Sequence, residues 1–250
     1  MLRVQNVAIA YGAEPILENI DLEVKAGEFA SLIGPSGSGK TSILRAVTSL
    51  LRPQSGMIEL DVPRNEVGFL FQDDALLPWR TARQNVALGL RIRNVAMEEA
   101  EARAEQWLSS LGLAGFGDRY PRQLSGGQRK RVAIAQVLAL RPRLLLMDEP
   151  FASLDAIVRT RITQELLGWV ERERLTVLLV THDLEEAISA SDVVYVLSQG
   201  PRATIRSRHE VKIARPRNVL ETRRHPFFGS LLRRLWDELS GESPPVDYAL

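Results

Sequence analysis

The sequence predicts an α/β fold: a mostly parallel sheet at the core, an N-terminal antiparallel β lobe and an inserted α-helical subdomain. Three observations predict it. Short, mainly apolar runs at residues 30–33, 144–147, 177–180 and 193–197 read as strands buried on both faces, as in parallel sheets covered by helices. Ahead of them, Leu2, Val4, Val7 and Ile9 fall mostly in alternation, and Ile20, Leu22 and Val24 alternate strictly, the pattern of half-buried strands. From Thr81 to about Arg141 the signals turn helical.

The opening strands are separated by Ala10-Tyr11-Gly12. Tyr11 has two readings, an aromatic packed in a turn or a ring at a strand end placed to stack on a base. Residues 29–44, FASLIGPSGSGKTSIL, then run from a buried strand through a glycine-rich loop into an apolar-periodic helix. This is the strand–GxxxxGK[ST]–helix arrangement of a P-loop NTPase core, and it implies binding of a nucleoside triphosphate. Gly34, Pro35, Ser36, Gly37, Ser38, Gly39, Lys40, Thr41 and Ser42 make up the loop and the helix start. Gly34, Gly37 and Gly39 can adopt positive φ and let backbone N–H groups turn inward as an anion nest. The helix start adds partial positive charge. Lys40 supplies a point charge for the β/γ-phosphates, and the Thr41 hydroxyl is suited to Mg²⁺.

A turn is expected at 53–56, then short strands at 57–60 and 67–71. Gln72 stands at the second strand's exit, suited to sensing an ion or a water. In the helical segment that follows, 72–142, Thr81 reads as an N-cap, 97–111 as an Ala/Glu-rich amphipathic helix and Gly112 as its stop. Leu124-Ser125-Gly126-Gly127-Gln128 precedes a helix reaching Leu140. Ser and two Gly at a helix start form a second anion-binding end. Either the chain binds two ligands, or each end completes a site on a partner chain.

The run Leu144–Met147 ends in Asp148-Glu149. A carboxylate after an apolar strand, downstream of a phosphate loop, suits the Asp148 position to Mg²⁺; Glu149 beside it is placed to orient and deprotonate a water. His182 follows another buried strand and can reach the same rim. Residues 156–174 read as helix, 204–213 as an edge hairpin, and 143–225 as the second part of the core.

Near the end, Phe227, Phe228, Leu231, Leu232, Leu235, Trp236 and Leu239 recur at helical spacing around Arg233 and Arg234. Such a helix either packs its stripe on the domain or lies on a membrane surface. Residues 226–250 are expected as this helix and a frayed tail from 241 onward.

Composition narrows the function classes. At 250 residues, with 45% apolar and 25% charged residues, the chain suits one large α/β domain that buries a full core. No apolar run of membrane-spanning length occurs, and the start runs directly into a strand pattern with no signal-peptide core. A cytoplasmic setting is therefore expected. With no cysteine in the sequence, disulfides, a thiol nucleophile and cysteine metal sites are excluded. The net charge of +1 leaves no nucleic-acid footprint.

GPSGSGKT (34–41), LSGGQ (124–128), LLLMDEP (144–150) and THD (181–183), in this order, resemble the nucleotide-binding subunit of ATP-binding cassette (ABC) transporters. The resemblance runs from Leu2 to about Leu239. It implies an ATPase with ATP and Mg²⁺, in which Tyr11 stacks on adenine and Thr41, Gln72 and Asp148 serve Mg²⁺. Glu149, His182 and Gln72 are then the catalytic set. Leu124, Ser125, Gly126, Gly127 and Gln128 are the signature that contacts ATP across a homodimer. Asp155 lies in the D-loop, where Ala152-Ser153 departs from the more usual order. FQDDALLPWRTARQNVALGL (71–90) resembles importers of nitrate, sulfonates, taurine and related small solutes. That implies Leu76, Leu77 and Trp79 as contacts to a membrane permease, a companion solute-binding protein, and a peripheral place on the cytoplasmic face of the membrane. The chain's end soon after 239 leaves no room for the regulatory domain of sugar-type importer ATPases. A soluble ABC-class ATPase acting on nucleic acid or ribosomes is the alternative expectation.

Overall fold

In the computed structural model, which describes residues 1–241, the strands fall into a three-stranded antiparallel sheet and a mostly parallel one. In chain order the elements are β1 (Leu2–Tyr11), β2 (Glu14–Val24), β3 (Phe29–Ile33), α1 (Lys40–Val47), β4 (Ser55–Leu60), β5 (Val67–Leu70), α2 (Ala82–Ile92), α3 (Met97–Ser110), α4 (Gly126–Leu138), β6 (Leu144–Asp148) and α5 (Ala156–Glu173). There follow β7 (Thr176–Thr181), α6 (Leu184–Ala190), β8 (Val193–Leu197), β9 (Ile205–Glu210), α7 (Val219–Thr222) and α8 (Pro226–Ser240). The expected frayed tail lies, from residue 242, outside the described residues. The chain divides into two compact units, Met1–Asp61 with Leu178–Leu250, and Val62–Val177.

In the first unit, β1 pairs antiparallel with β2 on one side and β4 on the other. The missed beat in its alternation, Val4 then Val7, has a cause. Asn6 sits at φ 48° and the register shifts there against both neighbours, so an extra residue is absorbed as a bulge. Gly56 belongs to β4 rather than to a turn, at φ 85°, and a Cβ there would lie 2.3 Å from the Asn6 carbonyl oxygen. Only glycine fits that approach.

Strand β3 pairs in parallel with β8, and β9 lies antiparallel beside β8. Their apolar cluster takes in Ile33, Ile188, Val194 and Val196, covered by Phe228, Leu231 and Leu235 of α8. The stripe of α8 therefore packs on the domain, except for Trp236, which is exposed. Helix α6 was not expected from the sequence; Asp183 caps it, its side chain accepting from Glu186 N–H at 3.0 Å.

In the second unit β5 and β6 are parallel, Leu70 standing opposite Met147. Helix α4 packs on β5 so closely that a Cβ on Gly68 would lie 2.6 Å from Val137. The expected helical segment 72–142 falls inside this unit, which also contains β5, β6 and α5. Trp107 of α3 and Trp169 of α5 meet with ring centroids 4.8 Å apart. No helix among the described residues is long and apolar enough to cross a membrane.

One polar clasp fixes α8 to the edge strand. Glu238 accepts a hydrogen bond from Ser207 of β9 and pairs with His209 Nε2 at 3.1 Å. Burial pushes the Glu238 carboxyl up, but hydrogen bonds from Ser207 and His209, with the charges of His209 and Arg234, hold it below its ordinary value. A carboxyl lowered in the folded state contributes stability above the unfolded range, about pH 4.3, and loses it as pH falls through the folded value. Urea unfolding at a series of pH values should show wild type more stable than Glu238→Gln near neutrality. The gap should close in acid.

Candidate functional site

The phosphate loop leaves the C-terminal end of β3, a strand buried along its whole length. Gly37 and Gly39 take positive φ, 79° and 94°. Gly34 does not: a Cβ there would stand 3.0 Å from Leu197 Cβ of β8, so close packing is what calls for glycine. The Lys40 side chain is buried and its ammonium donates to the carbonyls of Gly34 and Pro35, at 2.8 and 2.9 Å. These bonds draw the loop around its own lysine.

Helix α1 begins at Gly39, which has no side chain to cap it, and its first turn holds no acid. The other described α-helices start with a capping side chain or, in α3, with Glu98 and Glu99. The partial positive charge of α1 thus remains available to an anion. The Ser38 hydroxyl is buried with no hydrogen-bond partner among the described residues. A buried donor left unpaired is costly, and a phosphate oxygen would satisfy it. The loop therefore fits a nucleotide phosphate. Tyr11, at the end of β1, comes to this helix start, its Oη 3.2 Å from Ser42 Oγ, with the ring half exposed. His182, also in this unit, is exposed just beyond β7.

In the second unit, the parallel register of β5 and β6 brings the other expected residues into line. Leu70 lies opposite Met147, and two residues further on come Gln72 and Glu149. Both follow the C-terminal ends of neighbouring strands, where ligands bind in open α/β sheets. Asp148, the last residue of β6, is buried; Glu149 adopts φ 42°, a left-handed conformation uncommon for a glutamate.

The signature segment opens α4. Ser125 accepts from Gln128 N–H at 3.3 Å while Gln128 Oε1 accepts from Ser125 N–H at 2.9 Å, a reciprocal capping box. Its two glycines differ in their surroundings. A Cβ on Gly127 would lie 2.9 Å from Val158 of α5, so this glycine lets two helices meet. A Cβ on Gly126 would meet only an Arg129 nitrogen at 3.9 Å, so packing within the chain does not require glycine there. Leu124 is buried. Asp155 is the cap of α5, accepting from Ile157 and Val158 N–H at 3.1 and 3.0 Å.

Between Gln72 and α2, Leu76 and Leu77 are half-buried and Trp79 is 71% exposed. The loop carrying them is braced by Asn85, which the sequence reading missed. This fully buried amide accepts from Leu77 N–H at 2.7 Å and donates to the carbonyls of Leu77, Arg80 and Thr81. Lys130 was missed as well, although a lysine in step with Ala133, Ile134 and Val137 on an apolar helix face was the available signal. Among the described residues no group of three or more His, Cys, Asp or Glu could hold a metal.

This geometry is that of a nucleotide-binding cassette, and comparison with known proteins agrees. The model of the ABC transporter family matches residues 17–152, and the chain belongs to that family. The taurine import ATP-binding protein of Pseudomonas fluorescens is 43% identical over 208 residues, covering 80% of this chain and 79% of that protein. The bicarbonate transport ATP-binding protein of Synechococcus elongatus is 41% identical over 222 residues, 86% of this chain and 34% of that protein. The chain thus spans about a third of the length of the latter. A solved dimeric structure of a bacterial ABC transporter cassette aligns with TM-score 0.75 and 33% identity, over 86% of this chain and all of that one. A post-hydrolysis state bound to ADP and Pi aligns with TM-score 0.74 at the same identity and coverage.

The unpaired Ser38 hydroxyl yields a prediction. Without nucleotide, Ser38→Ala should raise stability by up to about 1 kcal/mol, since it removes a buried unsatisfied group. With nucleotide the order should reverse, as measured by thermal unfolding in both conditions.

Proposed function

We propose that this chain is the ATP-hydrolysing subunit of a membrane importer for a small anionic or zwitterionic solute of the nitrate, sulfonate or taurine kind. The reading rests foremost on Glu149, a carboxylate in a left-handed conformation at the exit of a buried strand, beside Asp148 and in register with Gln72. Membership of the ABC transporter family supports it, as do relatives named for taurine, bicarbonate and nitrate transport.

In this reading the loop from Gly34 to Ser42 wraps the phosphates with Lys40 against the β/γ oxygens, and Tyr11 stacks on adenine. Mg²⁺, held by Thr41, Gln72 and Asp148, would neutralise phosphate charge. Glu149 orients the attacking water and takes its proton, and His182 contacts the γ-phosphate. Two copies pair head to tail, so that Leu124, Ser125, Gly126, Gly127 and Gln128 of one cover the nucleotide held by the other, with Asp155 beside them. The uncrowded Gly126 leaves room for a nucleotide from a second chain. Closure on ATP and reopening after hydrolysis pass through Gln72 to Leu76, Leu77 and Trp79, which contact the permease from the cytoplasmic side of the membrane. A solute-binding protein presents the solute to the permease.

Glu149→Gln should retain ATP binding, lose turnover by about a hundredfold or more, and accumulate as an ATP-bound dimer on size exclusion. Turnover near wild type would remove Glu149 from the reaction. In vesicles reconstituted with the permease, Trp79→Ala should keep ATP turnover within about twofold while transport falls. Substitutions of exposed residues away from such interfaces ordinarily change little, so an unchanged transport-to-ATP ratio would refute the contact.

A further inference from the structure

Lys130 stands on the second turn of α4 with its side chain 1% exposed. An ammonium so placed is costly unless its three N–H groups find acceptors and its charge a counterion. It has three acceptors, and all lie in one short segment. They are the carbonyl oxygen of Gln72 at 3.0 Å, that of Phe71 at 3.5 Å, and Asp74 Oδ1 at 2.9 Å. The other Asp74 oxygen is 3.3 Å from Arg129 Nε, and Arg129 Nη1 donates to the Leu124 carbonyl at 2.9 Å. One aspartate thus joins two successive side chains of α4. One of these holds the backbone at Gln72, and the other holds the backbone at Leu124.

An apolar side chain of similar volume would fill this space without an ion-pair requirement, so burial alone does not explain the lysine. What Lys130 adds is position. It grips Gln72 by the main chain, leaving the Gln72 side chain exposed. Helix α4 is itself seated on β5 through the close contact of Gly68 with Val137. The far end of the same loop is held by Asn85 on α2. The loop is therefore clamped at both ends, with Trp79 exposed within the stretch that Asn85 holds, between Leu77 and Arg80.

We infer that Lys130 is a positioning residue that ties Gln72 to the signature helix, so that the Gln72–Asp74 turn and the start of α4 move as one piece. This rests on the proposed function for its consequence: a push on the loop at Trp79 is delivered to Ser125–Gly127 without slack. The tie itself is a property of the second unit alone.

Lys130→Met by itself leaves Asp74 to Arg129 alone, so the informative variant is Lys130→Met/Asp74→Asn, which removes the buried ammonium and its counterion together. ATP turnover of the full chain is measured for wild type, this pair, Gln72→Ala and the triple combination, each with its thermal midpoint. The pair should keep its midpoint near wild type and its KM for ATP within about twofold, while kcat falls about ten- to a hundredfold, as for misplaced catalytic geometry. Added to Gln72→Ala, it should lower kcat by less than about twofold more, because both changes act through one residue. Multiplying effects, or an unchanged kcat in the pair, would overturn the role of Lys130 and leave the hydrolysis reading standing. A wild-type chain with no turnover, or Gln72→Ala at full turnover, would overturn both. Hydrogen exchange reads the tie without turnover. In the pair, amides at 71–77 and 125–129 should exchange faster together, and unchanged exchange at either stretch would refute the tie.

Discussion

A strand buried on both faces can present chemistry only where it ends. Along β3, β6 and β7 no residue is exposed, so reactive side chains within them would be shut in apolar surroundings without partners. The polar candidates accordingly stand at their exits: the glycine loop after Ile33, Asp148-Glu149 at the end of β6, and His182 beyond Thr181. Gln72 follows β5 in the same way. In a parallel pair the exits share one edge, and the β5–β6 register brings Gln72 and Glu149 there without a contribution from either side chain.

This constraint explains what was legible in the sequence. Apolar runs with polar residues at their C-terminal ends are visible in one dimension, so the strands, the loop and the two carboxylates could be read before any coordinates. Helix caps were legible at Thr81, whose capping-box partner Gln84 lies three residues on. Features needing a partner from elsewhere in the chain were not. Gly34 looks like a conformational glycine, but its requirement comes from Leu197 of a strand far along the chain. The skip in β1 at Asn6 becomes a bulge only beside its two neighbours. Lys130 lies in step with an apolar helix face, but what it and Asn85 hold is seen only when the loop is laid against them. Helix α6 is a short seven-residue element, and its stability comes from packing in the apolar cluster rather than from propensity.

The two glycine-rich helix starts are not equivalent. Helix α4 pairs two of its N-terminal N–H groups within itself, through Ser125 and Gln128, so its first turn is braced from inside the chain. Helix α1 starts on a glycine without a capping group, beside a buried hydroxyl with no partner among the described residues. In the proposed function the braced start of α4 keeps its shape as it meets and leaves the nucleotide of the other copy. The second leaves the Ser38 hydroxyl to be satisfied by an incoming group, and its gain on binding is correspondingly larger.

Glu149 argues the same division from the backbone. A left-handed conformation costs a non-glycine residue on the order of 1 kcal/mol or more, a cost glycine largely escapes. Were the turn after β6 needed only to change direction, glycine would serve it with less strain. A glutamate there makes sense if the carboxylate's direction matters more than the strain. Asp148, one residue earlier in ordinary strand geometry, remains buried. The two adjacent carboxylates thus have different surroundings, Asp148 buried and Glu149 half-buried, which suits the separate tasks proposed for them.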